Sequence, residues 1–180
     1  MPRQALIDHL ASHALRTDGP FTLRSGAVSE WYLDARQTTF DGEGAWRVGG
    51  AVLELLDPTV QAVGGMTMGA DPIAVATAMV AFSAGRPLKA FSIRKTMKDH
   101  GTGGRLVGPV AAGARVAILE DTTTTGGAVI EAAQHALEAG LVIVQAISLV
   151  DRSYGAAGSR FSAMGVPYRS LIQPEDLGVA

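Results

Sequence analysis

Short, continuous apolar runs alternate with helical segments through most of the chain, and this alternation constrains the fold more than any other feature. The apolar runs occupy residues 60–63, 88–93, 116–119, 141–150 and 168–172. Helical patterns cover residues 71–84, which open on Asp71-Pro72, and residues 126–139, which end at Gly140. Strands without polar alternation are buried on both faces, and strands that alternate with helices form parallel sheets. The pattern predicts an α/β fold with a doubly wound, mostly parallel five-stranded sheet.

The composition fits one core-rich domain. Of 180 residues, 47% are hydrophobic and none is cysteine, which excludes disulfide frameworks, thiolate nucleophiles and Cys-type zinc sites. The net charge of −2 argues against a nucleic-acid or membrane-surface partner. Residues 1–15 lack the apolar core of a signal peptide, so we expect a cytoplasmic protein. We expect a single domain over residues 1–180, with the α/β core in about residues 41–180. In about residues 1–40 we expect a helix that is ended by Gly19-Pro20, followed by two short extended pieces at residues 21–23 and 31–33.

The third apolar run ends in two carboxylates, Glu120 and Asp121, and four threonines and two glycines follow before the next helix. The N-terminus of a helix offers free N–H groups to an anion, most often a phosphate. Carboxylates do not bind a phosphate but accept hydrogen bonds from hydroxyl groups. A ligand with a sugar diol beside a phosphate therefore suits both the acid pair and the Thr-Gly start of the helix. The alternative is an ordinary strand–turn–helix corner with Asp and Thr caps. That alternative explains one acid and one threonine, but not two acids and four threonines.

A basic segment with three glycines, residues 94–105, follows the second apolar run. Its chemistry-bearing residues are Arg94, Lys95, Lys98 and His100. Cations beside flexible glycines are typical of a lid that closes over an oxyanion such as a pyrophosphate leaving group. The alternative is a solvated polar loop. A nucleic-acid patch is the weaker interpretation, because the segment contains no aromatic residue for stacking.

Two further strand ends carry unusual residues. Residues 64–72 form a glycine-rich turn whose N–H groups could face an anion, although the glycines at positions 64, 65 and 69 do not match the dinucleotide fingerprint. Asp151 and Arg152 follow the long fourth run. A guanidinium suits a planar carboxylate, whereas a surface ion pair is the alternative. Ligands of such sheets bind beyond the carboxyl ends of the strands, so these residues are expected to share one site.

Taken together, these motifs resemble those of the type I phosphoribosyltransferases, and within them the orotate phosphoribosyltransferase family. The acid–acid–Thr–Gly stretch resembles the family's binding signature for 5-phosphoribosyl-1-pyrophosphate (PRPP). The basic segment matches an Arg-Lys-x-x-Lys-x-His-Gly catalytic loop that reaches across a homodimer into the neighbouring site. The stretch from Phe21 to Tyr32 is similar to a hood over the base. The resemblance implies transfer of phosphoribose from PRPP to orotate, giving orotidine 5′-phosphate and pyrophosphate in pyrimidine biosynthesis, with Mg²⁺ carried by PRPP and no direct protein ligand.

The resemblance also assigns roles to residues. Lys98 and His100 are the expected catalytic residues, and Thr124 and Arg152 the expected orotate-binding residues, with Arg24 and Tyr32 as weaker candidates. The expected PRPP-binding residues are Arg94, Lys95, Lys98, His100, Glu120, Asp121, Thr122, Thr123, Thr124, Thr125, Gly126, Gly127 and Ala128. The chain departs from the commoner family pattern at two places. Arg24 stands where lysine is usual, and Thr67-Met68 stands where many relatives have Tyr-Lys.

Two other functions share part of this pattern. A phosphoribosyltransferase for another base keeps the acid–acid–Thr–Gly motif, but an uncharged base has no carboxylate for Arg152. A non-catalytic PRPP-binding regulator is expected to lack the lysine and histidine of the lid and to carry a basic nucleic-acid surface. Neither property of such a regulator matches this sequence.

Overall fold

The computed structural model describes residues 3–22, 26, 28–98 and 104–179. The helices are α1 (Arg3–His13), α2 (Arg36–Thr39), α3 (Gly42–Leu55), α4 (Ala70–Ser83), α5 (Gly127–Glu138) and α6 (Ala156–Ala163), and a 3₁₀ helix covers Pro174–Leu177. The strands are β1 (Leu15–Arg16), β2 (Phe21–Thr22), β3 (Val28–Ser29), β4 (Tyr32–Leu33), β5 (Ala62–Met66), β6 (Lys89–Lys98), β7 (Gly104–Val107), β8 (Arg115–Thr123), β9 (Val142–Asp151) and β10 (Tyr168–Ile172).

The central sheet has six strands in the order β10-β9-β8-β5-β6-β7. All the pairings from β10 to β6 are parallel, and each of these five strands contains or overlaps one of the predicted apolar runs. The mostly parallel α/β fold is therefore confirmed. The sheet has one strand more than the five predicted, because the basic segment forms an antiparallel hairpin in which Lys98 pairs with Gly104.

Helices cover both faces of this sheet, as a doubly wound fold requires. One buried cluster joins α1, α3 and α4 to one face and includes Leu10, Val48 and Ile73. A second cluster joins α5 and α6 to the other face and includes Val129 and Phe161. The strands between them, buried on both sides, are the continuous apolar runs of the sequence.

The N-terminal part folds as two small antiparallel pairs beside the carboxyl edge of the sheet. Strand β2 pairs with β3, and β1 pairs with β4, so that Leu15 faces Leu33. The two short extended pieces predicted here are confirmed. The first helix ends at His13 and not at Gly19-Pro20 as the sequence suggested, because the chain turns early to form β1.

One helix start and one strand end differ from the predicted bounds in ways that affect the site. Asp71 lies inside the first turn of α4, and Gly69 occupies the N-cap without a side-chain hydrogen bond. Strand β8 continues through Glu120 and Asp121 to Thr123. The two acids are thus held by a rigid strand in the sheet and not by a loop.

Candidate active site

The acid pair lies at the carboxyl end of β8. Glu120 is buried, with 8% of its surface exposed, and its Oε2 atom has no hydrogen-bond partner. Burial, followed by the neighbouring charge of Asp121, raises the pKa of Glu120 to about 9. The Oδ1 atom of Asp121 accepts a hydrogen bond from the backbone N–H of Thr122 at 2.7 Å. A buried carboxyl oxygen without a partner is costly unless a ligand supplies the partner.

The turn from β8 into α5 forms a small cavity of about 100 Å³. It is lined by Glu120, Thr122, Thr123, Thr124, Thr125, Gly126, Gly127, Ala128 and Val129. Gly126 has a φ of 76°, a conformation that favours glycine, and as the N-cap residue of α5 it provides no side-chain cap of its own. The Oγ1 atom of Thr125 accepts a hydrogen bond from the N–H of Gly127 at 3.3 Å. Free amides, hydroxyls and the positive end of a helix dipole make this turn suitable for a phosphate.

A chain of buried hydroxyls supports this turn from below. The Oγ1 of Thr123 is hydrogen-bonded to the Oγ of Ser148, to which the Tyr168 hydroxyl donates at 2.9 Å. Burial raises the pKa of Tyr168 to about 12, so the phenol keeps its proton and remains a donor. Thr123 is thereby tied to β9 and β10, and its side chain supports the turn from within the sheet.

A second cavity, of about 460 Å³, lies on the other side of the acid pair. Its walls are Arg36, Met66, Thr67, Met68, Gly69, Lys95, Glu120, Asp121 and Ala128. At Gly69 a Cβ atom would lie only 2.7 Å from the carboxylate of Asp121, so only glycine allows this approach of the turn to the acid. Of the predicted glycine-rich turn over residues 64–72, residues 64–66 belong to β5 and residues 70–72 to α4. Residues 66–69 share this cavity with the acid pair.

The basic segment reaches this cavity through Lys95, which is exposed on β6. Arg94, one residue earlier and half-buried, belongs to the opposite face of the strand by its alternation. Lys98 ends β6, where its backbone pairs with Gly104. The side chain of Lys98 and the residues His100 and Arg24 lie outside the part of the chain that the structure describes.

Arg152 directly follows β9, beside the turn from β8 into α5 at residues 122–128, here named the phosphate turn. Its backbone N–H donates to the carbonyl oxygen of Thr123 at 2.8 Å. Its guanidinium lies 4.0 Å from the ring centre of Trp31, and burial lowers its pKa. The side chain of Asp151 instead accepts a hydrogen bond from the N–H of Ser153 at 2.7 Å. The alternative of a simple ion pair between these neighbours does not describe this geometry.

Sequence reasoning missed Arg36 and Trp31. Arg36 lines the second cavity and forms an ion pair with Asp34 at 2.7 Å. Trp31 was noticed only as part of an extended piece. Tyr32 is 37% exposed and lies near Phe21, with ring centres 5.9 Å apart.

Within the described ranges no cluster of three or more His, Cys, Asp or Glu residues could hold a metal ion. No helix in the same ranges is long and apolar enough to cross a membrane.

Comparison with known proteins identifies close relatives. No family model matches the chain. An orotate phosphoribosyltransferase of Streptomyces avermitilis is 43% identical over 178 residues, which cover 98% of this chain and 97% of that protein. One from Thermosynechococcus vestitus is 42% identical over 176 residues, covering 97% of this chain and 92% of its own length.

Solved structures give the same result. The crystal structure of Mycobacterium tuberculosis orotate phosphoribosyltransferase with Fe(III) dicitrate superposes with a TM-score of 0.86 at 34% identity, covering 98% of this chain and 99% of that one. The same enzyme in complex with PRPP superposes with a TM-score of 0.81 at 32% identity, covering 98% and 99%. Nearly complete coverage at this identity extends the resemblance beyond isolated motifs. The chain belongs to the orotate phosphoribosyltransferase family.

Proposed function

We propose that this chain transfers the 5-phosphoribosyl group from PRPP to orotate, giving orotidine 5′-phosphate and pyrophosphate in pyrimidine biosynthesis. The proposal rests on one observation. The acid pair, the phosphate turn and Arg152 lie together at one edge of the sheet, at the ends of the neighbouring strands β8 and β9. This arrangement offers separate places for a phosphate, a sugar diol and a carboxylate. Membership of the family supports the same reaction.

PRPP would span the two cavities. Its 5-phosphate fits the turn formed by Thr122, Thr123, Thr124, Thr125, Gly126, Gly127 and Ala128. Its ribose hydroxyls fit Glu120 and Asp121, which separate the two cavities, and the unpartnered Oε2 of Glu120 supports this placement. Its pyrophosphate would then occupy the cavity beside Lys95. Arg94 stays a predicted PRPP-binding residue, although it lies on the opposite face of β6 from Lys95.

The chemistry needs positioning and charge stabilisation more than a nucleophile. The bond from C1 of the ribose to pyrophosphate breaks in an oxocarbenium-like transition state, and negative charge accumulates on the departing pyrophosphate. We assign Lys98 and His100 to that charge, as cation and proton donor. Thr124 and Arg152 would hold the orotate ring and its carboxylate, with Arg24 and Tyr32 as weaker contacts from the hood.

Magnesium fits this site through oxygen chemistry. The carboxyl groups of Glu120 and Asp121 face the cavity assigned to pyrophosphate, and Mg²⁺ prefers oxygen ligands and usually keeps substrate phosphates in its shell. We propose that the ion is carried by PRPP, with these acids holding the ribose hydroxyls beside it. When bound, the ion supplies neutralisation of the pyrophosphate charge.

A homodimer is supported by the outer face of α4. Val75, Met79 and Phe82 are 52%, 68% and 78% exposed and lie four and three residues apart, so they form one apolar stripe along the helix. A helix that is apolar on both its inner and outer faces is typical of one that is buried on both sides. We propose that a second copy of the chain packs on this stripe, which begins in the second turn of α4.

Sharing of the catalytic segment between subunits can be tested with two impaired variants. Lys98→Ala removes the proposed loop cation and Asp121→Asn removes one of the proposed ribose acids. If the loop acts across the dimer, a hybrid of the two chains contains one intact site and regains the activity of one of its two sites. If each loop serves its own chain, the hybrid is no more active than its parents.

The remaining expectations concern the whole chain. We propose that residues 1–180 act as one domain, because α1 packs on α3 and Arg3 donates to the carbonyl of Leu171 at 3.2 Å. We also propose a cytoplasmic location, because the charged substrates and products of the reaction do not cross membranes unaided.

The direct test of the function is a panel of bases assayed with PRPP and Mg²⁺. The proposal expects orotate to be consumed and adenine and uracil to be poor substrates. A preference for an uncharged base would favour another phosphoribosyltransferase. PRPP binding without turnover of any base would favour a regulator.

A further inference from the structure

Arg152 is held by an aromatic face and not by a carboxylate. Its guanidinium lies 4.0 Å from the centre of the Trp31 ring, within the range of a cation–π contact. In the described part of the chain, no Asp or Glu forms an ion pair with Arg152. The charge is therefore available to an incoming anion, while the ring fixes the position of the guanidinium.

Trp31 is itself held firmly. It is buried, with 5% of its surface exposed, and it belongs to the cluster between the N-terminal part and the sheet. The Oγ of Ser29 donates to its carbonyl oxygen at 2.8 Å and accepts from its N–H at 3.4 Å, which fixes the tight turn between β3 and β4. The ring is a rigid surface and not a mobile side chain.

The backbone of Arg152 is fixed from the opposite side. Its N–H donates to the carbonyl of Thr123, the last residue of β8 and part of the phosphate turn. One end of the arginine is thus tied to the phosphate turn and the other end lies on the hood. A long, flexible side chain held at both ends loses little further freedom when a ligand binds, which is the basis of preorganisation.

We infer that Trp31 is a positioning residue, which orients the Arg152 guanidinium for the carboxylate of the base and so contributes to the choice of a carboxylated base. The inference rests on the proposed role of Arg152. Trp31 does not contact the reacting atoms, and its effect passes through the arginine. Burial of the guanidinium, which lowers its pKa, agrees with a group whose partner is supplied by the substrate.

The test compares two nucleotides that differ only in the carboxylate, orotidine 5′-phosphate and uridine 5′-phosphate, in calorimetric titrations. Trp31→Leu removes the aromatic face, and we expect it to weaken binding of orotidine 5′-phosphate by about five- to thirtyfold. Binding of uridine 5′-phosphate should stay within about twofold of wild type. Trp31→Phe keeps a weaker aromatic face and should give a smaller loss with the same selectivity.

A double-mutant cycle shows whether the effect passes through the arginine. In the Arg152→Ala background, adding Trp31→Leu should cause no further loss of affinity for orotidine 5′-phosphate. Trp46→Leu is the matched control, because Trp46 lies on α3 with 55% of its surface exposed. This variant should bind both nucleotides with the affinity of wild type. Equal losses for both nucleotides, or an undiminished Trp31 effect in the Arg152→Ala background, would overturn the inference. If Trp31→Leu does not fold, the selectivity of Trp31→Phe decides in the same way.

The experiment also separates this inference from the proposed function. If Arg152→Ala weakens binding of the two nucleotides equally, Arg152 does not recognise the carboxylate, and the proposed function loses that support. If Arg152→Ala is selective and the Trp31 variants are not, only the role of Trp31 is wrong.

Discussion

The buried carboxyl of Glu120 makes a quantitative prediction about stability and pH. Its pKa in the folded chain is about 9, against an ordinary value of 4.5, mainly because burial disfavours the charged form. Between these values the folded chain binds a proton that the unfolded chain has lost. The free energy of unfolding therefore falls as pH rises. The decrease is about 1.4 kcal/mol for each pH unit, or about 2 to 3 kcal/mol from pH 6 to pH 8.

Glu120→Gln keeps the shape of the side chain but removes the titration. We expect urea unfolding at fixed protein concentration to show that the variant loses less stability than wild type between pH 6 and pH 8, by about that amount. Every other residue is the same in the two proteins, so its contribution to the pH dependence cancels in the comparison. Glu175→Gln is the control, because Glu175 is exposed, and its pH dependence should match wild type. Parallel stability curves for wild type and Glu120→Gln would refute the assignment of a buried, protonated carboxyl.

Three further predictions address the loop, the phosphate turn and the dimer. Lys98→Ala should lower kcat by about 100-fold in steady-state assays, as loss of one preorganised donor to a developing charge does, and wild-type turnover would remove Lys98 from the mechanism. Gly126→Ala places a Cβ at a φ of 76° and 3.1 Å from the Cα of Ala157, so it should cost about 1 to 3 kcal/mol in urea unfolding and raise the KM for PRPP. Gly85→Ala has a similar φ of 78° but nothing within 4 Å, and a raised KM there too would contradict a local effect. Met79→Asp puts a charge into the α4 stripe and should convert dimer to monomer in sedimentation experiments, whereas an unchanged mass would exclude this face as the interface.

The features that could be predicted from the sequence are those encoded locally. A strand buried on both faces leaves a continuous apolar run, so the five parallel strands were recognisable without tertiary information. Glu120 and Asp121 were recognisable because paired acids before a Thr-Gly helix start are in excess of what capping needs. Their placement at the sheet edge follows from the rule that ligands bind beyond the carboxyl ends of parallel strands.

The features that could not be predicted depend on contacts between distant segments. Strand β7 has only four residues, Gly-Arg-Leu-Val, too short a pattern to predict a strand, and it becomes one through pairing with β6. Arg36 enters the cavity because α2 packs beside the acid pair, and nothing in its own stretch of sequence encodes that neighbour. The contact between Trp31 and Arg152 joins positions 121 residues apart and could be found only in three dimensions.

The central claim is that the acid pair and the turn into α5 bind a phosphorylated pentose. Isothermal titration of PRPP in the presence of Mg²⁺ tests it most directly, with wild type and Asp121→Asn compared side by side. The account predicts saturable binding of one PRPP per chain and a loss of at least about tenfold in affinity in the variant, as expected for a lost hydrogen bond to a charged group. An absence of heat with wild type, or equal affinity in the two proteins, would contradict it.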